Sequence, residues 1–206
     1  MVEIQLHGAS KRFQYEWIFK NLTLQLKQGD SLAVTGGNGS GKSTLLKCLS
    51  GAIPFSHGDV LFQSKGITIP EFDWYKYLSI SAPYLELPEE FTLLELIGFH
   101  FKFKNPLNQT QPKELIEILY LDQHLSKTVS QFSSGMKQRL KLGIALFSDV
   151  PLILLDEPTS NLDKKGVAWY LDLIQKYQND RIIVVCSNEP REYGFCSQKI
   201  ALENFK

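Results

Sequence analysis

The chain has 206 residues, 43% hydrophobic and 21% charged, which excludes intrinsic disorder and suits one folded domain. Its 22 Lys and Arg balance 22 Asp and Glu, so the basic footprint of a nucleic-acid-binding protein is missing and no nucleic-acid partner is expected. No apolar run approaches the ~20 residues needed to cross a bilayer, and residues 1–14 alternate without a signal-peptide core, so a chain neither secreted nor itself membrane-spanning is expected.

In chain order, residues 2–6 and 22–26 alternate as strands, and Lys27-Gln28-Gly29-Asp30 reads as a turn. Residues 31–35 form a short apolar strand that runs straight into glycines. From Lys42 the pattern turns helical, with Leu45, Leu46 and Leu49 on one face. Residues 51–58 read as a loop, and 59–62 with 66–69 as a hairpin of short strands. Thr92 and Glu95 form a capping box before the apolar run 93–101. Further helices are predicted over 112–121, from about 134 through 146, and over 167–177. Residues 152–155 and 182–186 are wholly apolar strands. Short apolar strands alternating with helices predict an α/β fold with a mostly parallel sheet and helices around it. The helical stretch interrupts that alternation as an inserted lobe at about 85–147. The rest, about 1–84 and 148–206, forms the core of a single domain.

Cys48, Cys186 and Cys196 form no C-x-x-C pair, and His7, His57, His100 and His124 are scattered. Buried thiols in a reducing compartment are expected, with no disulfide or zinc site.

Gly36-Gly37-Asn38-Gly39-Ser40-Gly41-Lys42-Ser43 matches G-x-x-x-x-G-K-[ST] between a strand and a helix, the context such a phosphate loop requires. Glycines let successive backbone N–H groups curl around a phosphate, and the following helix aims its positive end at the same anion. Residues Gly36 through Thr44 are the candidate ATP-binding segment. Within it Lys42 faces the β- and γ-phosphates, and Ser43 offers a hydroxyl to Mg²⁺.

Leu152-Ile153-Leu154-Leu155-Asp156-Glu157 is an apolar strand ending in two carboxylates. In a parallel sheet that end lies beside the phosphate loop, where Asp156 can hold Mg²⁺ and Glu157 can act as general base toward an attacking water. A pair of solvated acids is the plainer alternative, weakened by the phosphate loop. Phe99-His100-Phe101-Lys102-Phe103-Lys104 interleaves aromatics and bases. It reads as a helix end with its rings packed or docking a partner.

Between the two motifs stands Phe132-Ser133-Ser134-Gly135-Met136-Lys137-Gln138-Arg139. At this point the chain resembles the nucleotide-binding subunits of ATP-binding cassette (ABC) transporters. Their L-S-G-G-Q-x-Q-R signature is matched at Ser133, Gly135, Gln138 and Arg139, with departures at Phe132, Ser134 and Met136. The acidic pair continues into Pro158-Thr159-Ser160-Asn161-Leu162-Asp163, similar to the family's D-loop, with Asn161 where alanine is usual. The resemblance spans nearly the whole chain.

The resemblance implies a P-loop NTPase core, a small antiparallel β part near the N-terminus and a helical lobe carrying the signature. It also implies a head-to-tail dimer, of two copies or with a related ATPase, in which Ser133, Ser134, Gly135 and Met136 act on ATP held by the other subunit. Phe13 resembles the aromatic that stacks on adenine, with Tyr15 as runner-up. Tyr84 follows Pro83 where the family has a glutamine, and it is grouped with Asp163 as a coupling-loop position. Asn188 follows Ser187 where the family has a catalytic histidine. These two departures predict slowed turnover with ATP binding retained.

The implied activity is ATP hydrolysis, with ATP and Mg²⁺ as cofactors, powering transport through a separate transmembrane permease. The chain would sit on the cytoplasmic face of the membrane through that partner. Two rival readings remain: an ABC-type ATPase in a soluble machine, and a regulatory nucleotide-binding module with little hydrolysis.

Overall fold

The computed structural model describes every residue except 179 and divides the chain into two compact units. The first comprises Met1–Ile80, Pro151–Glu157 and Gln178–Lys206; the second comprises Ser81–Val150 and Pro158–Tyr177. Residues 158–177, grouped with the core by the sequence pattern, thus fall in the helical unit.

The first unit is α/β. Strands β1 (Val2–Phe13), β2 (Glu16–Lys27), β4 (His57–Ser64) and β5 (Ile67–Thr68) form an antiparallel sheet ordered β2-β1-β4-β5. A second sheet is ordered β6-β7-β8-β3-β9, from β3 (Ser31–Thr35), β6 (Leu78–Ser81), β7 (Leu152–Asp156), β8 (Ile182–Cys186) and β9 (Gln198–Ala201). In it β7, β8, β3 and β9 pair in parallel. All residues of β7 and β8 are buried, as a parallel sheet covered on both faces requires. Helix α1 (Lys42–Leu49) follows β3 and contributes Leu45 and Leu46 to a core shared with Leu6, Phe19, Leu22, Phe62, Leu154 and Val184. Each such side chain stabilises the fold by roughly 1.5–3 kcal/mol relative to exposure.

Strands β1 and β2 run well beyond the alternating stretches. Their polar outer halves pair with register shifts between Leu6 and Arg12, and those shifts erase the period-two signal. Strand β4 begins at His57, shortening the expected loop, and it pairs with β5 as the expected hairpin. Cys48 and Cys186 are buried, whereas Cys196 is only partly covered.

The second unit is helical: α2 (Leu93–His100), α3 (Pro112–Ile118), α4 (Ser134–Leu146) and α5 (Lys164–Tyr177). Thr92 caps α2 reciprocally with Glu95, as its sequence predicts. Helix α3 stops short of the expected 121 because Tyr120 takes a left-handed backbone, φ +55°. Leu121 then bonds back to Ile116, and Tyr120 to Glu117, a Schellman closure built without glycine. Helix α5 starts before 167 because Asp163 Oδ1 accepts from Gly166 N at 2.7 Å and caps it. The short helix α6 (Pro190–Tyr193) belongs to the first unit. Among the described residues no helix is long and apolar enough to cross a membrane.

Candidate functional site

Strand register assembles the site in the first unit. Val34, Cys186 and Asp156 are lateral partners, so the chain leaves three neighbouring strands at one edge of the sheet. Within two residues it reaches Gly36, Asn188 and Glu157. That carboxyl edge is where parallel sheets place ligands.

The glycine-rich loop between β3 and α1 needs its glycines. Gly41 has φ +104°, and a Cβ there would stand 2.3 Å from Ile18 Cγ2. Gly36 has φ +146°, and a Cβ there would stand 2.7 Å from Ser40 Oγ. Both positions combine left-handed backbone with close approach, so any side chain is excluded.

Lys42 is only 6% exposed and folds back over the loop. Its Nζ donates to Gly36 O at 2.6 Å and Gly37 O at 3.1 Å. The Gly36 N–H donates to Asn188 Oδ1 at 3.2 Å, and the Gly37 N–H donates to Glu203 Oε1 at 2.6 Å. The Ser40 hydroxyl is buried without a protein partner. A cleft of about 320 Å³ opens over this loop, lined by Ile18, residues 38–44 and Glu157. It joins Asn38, Gly39, Ser40, Gly41, Lys42, Ser43 and Thr44 to the acid at the end of β7.

Asp156 is buried, and desolvation holds its carboxyl above the usual aspartate range, opposed by a hydrogen bond from Ser43. Glu157 takes a left-handed backbone, φ +43°, a cost that concentrates at functional sites. Its N–H donates to Cys186 O at 2.9 Å. The Cys186 thiol, raised well above its ordinary pKa by burial, donates to Lys42 O at 3.5 Å. It is a packing group.

Mg²⁺ takes few carboxylates and keeps several waters or phosphate oxygens, so it does not require a protein cage. Asp156 and the hydroxyl of Ser43 are hard oxygen donors joined by a hydrogen bond, and burial keeps the carboxyl raised against the pull of Lys42 and Lys47. These residues fit the ion. No group of three or more His, Cys, Asp or Glu side chains that could hold a metal ion occurs among the described residues.

The other expected residues are placed as follows. Phe13 ends β1, half exposed, with Lys11 Nζ 4.9 Å from its ring centroid. Tyr15 is almost wholly exposed. Neither lines the cleft; Ile18 does. In the second unit Ser133 is the N-cap of α4, its Oγ accepting from Met136 N at 3.3 Å. Ser134, Gly135 and Met136 form the first turn. A Cβ on Gly135 would lie 3.0 Å from Asn161 O, and Asn161 itself has φ +63°, a conformation Asn tolerates better than Ala. Gln138 Nε2 donates to Pro158 O at 2.8 Å, tying this helix to the segment after the acidic pair. Tyr84 is partly exposed beyond Pro83, whose carbonyl accepts from Lys141 Nζ at 3.2 Å. Phe99 stacks edge-on between Phe91 and Phe103 at the end of α2.

Ile18 and Glu203 escaped the sequence reading. Tertiary packing against Gly41 brings Ile18 to the loop, and Glu203 sits in a turn after β9 with no motif around it.

The family model described as "ABC transporter" matches residues 19–160. The spermidine/putrescine import ATP-binding protein PotA of Thermotoga maritima is 34% identical over 167 residues, 79% of this chain and 45% of that protein. The uncharacterized ABC transporter ATP-binding protein YcbN of Bacillus subtilis is 27% identical over 172 residues, 84% of this chain and 56% of its own. The chain thus spans about half the length of both relatives. A dimeric post-hydrolysis structure of the ATP-binding cassette MJ0796, bound to ADP and Pi, superposes with a TM-score of 0.81 at 22% identity, covering 97% and 95% of the two chains. This chain belongs to the ABC transporter family.

Proposed function

We propose that the chain binds Mg-ATP at the loop of residues 36–44, hydrolyses it slowly, and drives transport through a separate transmembrane partner. The observation that carries this reading is the convergence of Lys42, the Ser43–Asp156 pair, Glu157 and Asn188 at one edge of one sheet.

The residues divide the work. The N–H groups at the start of α1 and the Lys42 ammonium receive the β- and γ-phosphates. The buried Ser40 hydroxyl gains a partner when an anion fills the loop. Ser43 and Asp156 would hold Mg²⁺, which would neutralise developing phosphate charge and relieve the desolvated carboxylate. Glu157 accepts the proton of the attacking water. Asn188 supplies a neutral contact to the γ-phosphate and can neither carry positive charge nor shuttle a proton, which slows turnover. Phe13, or Tyr15, stacks on adenine from the β1 end.

Ser133 and the first turn of α4 form an anion site for the nucleotide of a second, head-to-tail subunit. The dimeric cassette with ADP and Pi supports a dimer by similarity of fold, and PotA supports the transport role by similarity of sequence. Tyr84 and Asp163 lie on the loops assigned to coupling. Calorimetric titration with Mg-ATP tests the core of this reading: Lys42→Ala should lose most affinity while keeping the fold. Equal affinity in variant and wild type would remove the phosphate-loop assignment.

A further inference from the structure

The loop begins with two glycines, which carry no side chain and restrict their own backbone least of all residues. Something else must fix the direction of the peptide between them. That peptide is one rigid plane with two polar ends. Its carbonyl, Gly36 O, accepts from Lys42 Nζ at 2.6 Å. Its N–H, on Gly37, donates to Glu203 Oε1 at 2.6 Å. The preceding peptide is held in the same way from another strand, through Gly36 N–H and Asn188 Oδ1. Glu203 closely covers this backbone: a Cβ on Gly37 would lie 3.2 Å from its Oε1, and one on Gly36 would lie 3.7 Å from its Cγ.

We infer that Glu203 is a positioning residue for Lys42, acting through the Gly36–Gly37 peptide. A carboxylate that accepts the N–H polarises the whole amide and makes its oxygen a stronger acceptor. The plane cannot rotate without breaking both bonds, so the acid on the turn after β9 sets where the ammonium sits at the opening of α1. Parallel pairing of β3 with β9 supplies the reach, since Thr35 and Ala201 are lateral partners just before Gly36 and Glu203. The nucleotide thus meets a lysine held in place before it arrives, and less freedom is lost on binding.

This inference rests on residues 36–44 being the phosphate site. Its test compares Mg-ATP affinity for the wild type, Glu203→Ala, Glu203→Gln and Lys42→Ala, with thermal unfolding and the Gly37 amide resonance measured on each without nucleotide. Removing the acceptor should weaken binding roughly three- to tenfold, the range of one net hydrogen bond. It should raise KM more than it lowers kcat, leave unfolding nearly unchanged and move the Gly37 amide proton upfield. Glu203→Gln, which keeps an oxygen acceptor, should recover most of the affinity. Unchanged or tighter binding in Glu203→Ala, while Lys42→Ala loses its affinity, would overturn the inference. In that case Glu203 would be no more than a negative charge near the site. Wild-type affinity in Lys42→Ala would instead remove the phosphate-loop reading itself.

Discussion

Asn188 Oδ1 accepts the backbone N–H of Gly36 at 3.2 Å, so the residue after β8 grips the first glycine of the loop after β3. The residue proposed to face the γ-phosphate therefore also anchors the loop. Asn188→His would place an imidazole there that can carry positive charge. The expected result is a single-turnover ATPase rate raised about tenfold or more, below the ceiling of ~3 kcal/mol for one preorganised contact. An unchanged rate would mean that Asn188 matters only as an anchor.

Asp156 makes a second prediction, about pH. Burial raises its carboxyl pKa above 3.8, so the folded state binds this proton more tightly than the unfolded chain. Its stabilising contribution is complete below the unfolded value and is lost as pH rises through the raised folded one. At neutral pH, without Mg²⁺, the ionised group is a liability. Asp156→Asn should raise the Tm of the nucleotide-free protein at neutral pH, flatten its pH dependence on the acid side, and abolish stabilisation by Mg-ATP. Thermal unfolding with and without Mg-ATP reads all three effects.

Packing in the helical unit makes a third. A Cβ on Gly143 of α4 would stand 2.4 Å from Leu119 Cδ2, with two further Leu119 atoms within 3.0 Å. Gly143→Ala improves helix propensity, but the overlap should dominate and destabilise by ~1–3 kcal/mol. Leu119→Ala in the same chain removes the clash, so the two changes should be non-additive in urea unfolding.

The elements legible in the sequence are those with local causes. Residues 31–44 announce a strand, a loop and a helix because the apolar run, the glycines and the leucine face are contiguous. Asp156 and Glu157 are legible because a fully apolar strand ends on them. The outer half of β1 was not, since its register shifts break the alternation. Tyr120 ends α3 in a conformation usually given to glycine, so nothing in its identity marked the stop. Ile18 reaches the loop only through packing against Gly41, and Glu203 only because β9 pairs with the distant β3. Asn161 looked like a departure from a motif, and its left-handed backbone gives that departure a physical reason.

Transport as proposed depends on this chain turning over ATP with Glu157 as the base. Release of inorganic phosphate from Mg-ATP, measured on the wild type beside Glu157→Gln, tests it most directly. The expected result is slow but sustained release from the wild type, release lowered at least about a hundredfold in the variant, and equal nucleotide affinity in both. Equal rates in the two proteins, or no release above background from the wild type, would contradict it.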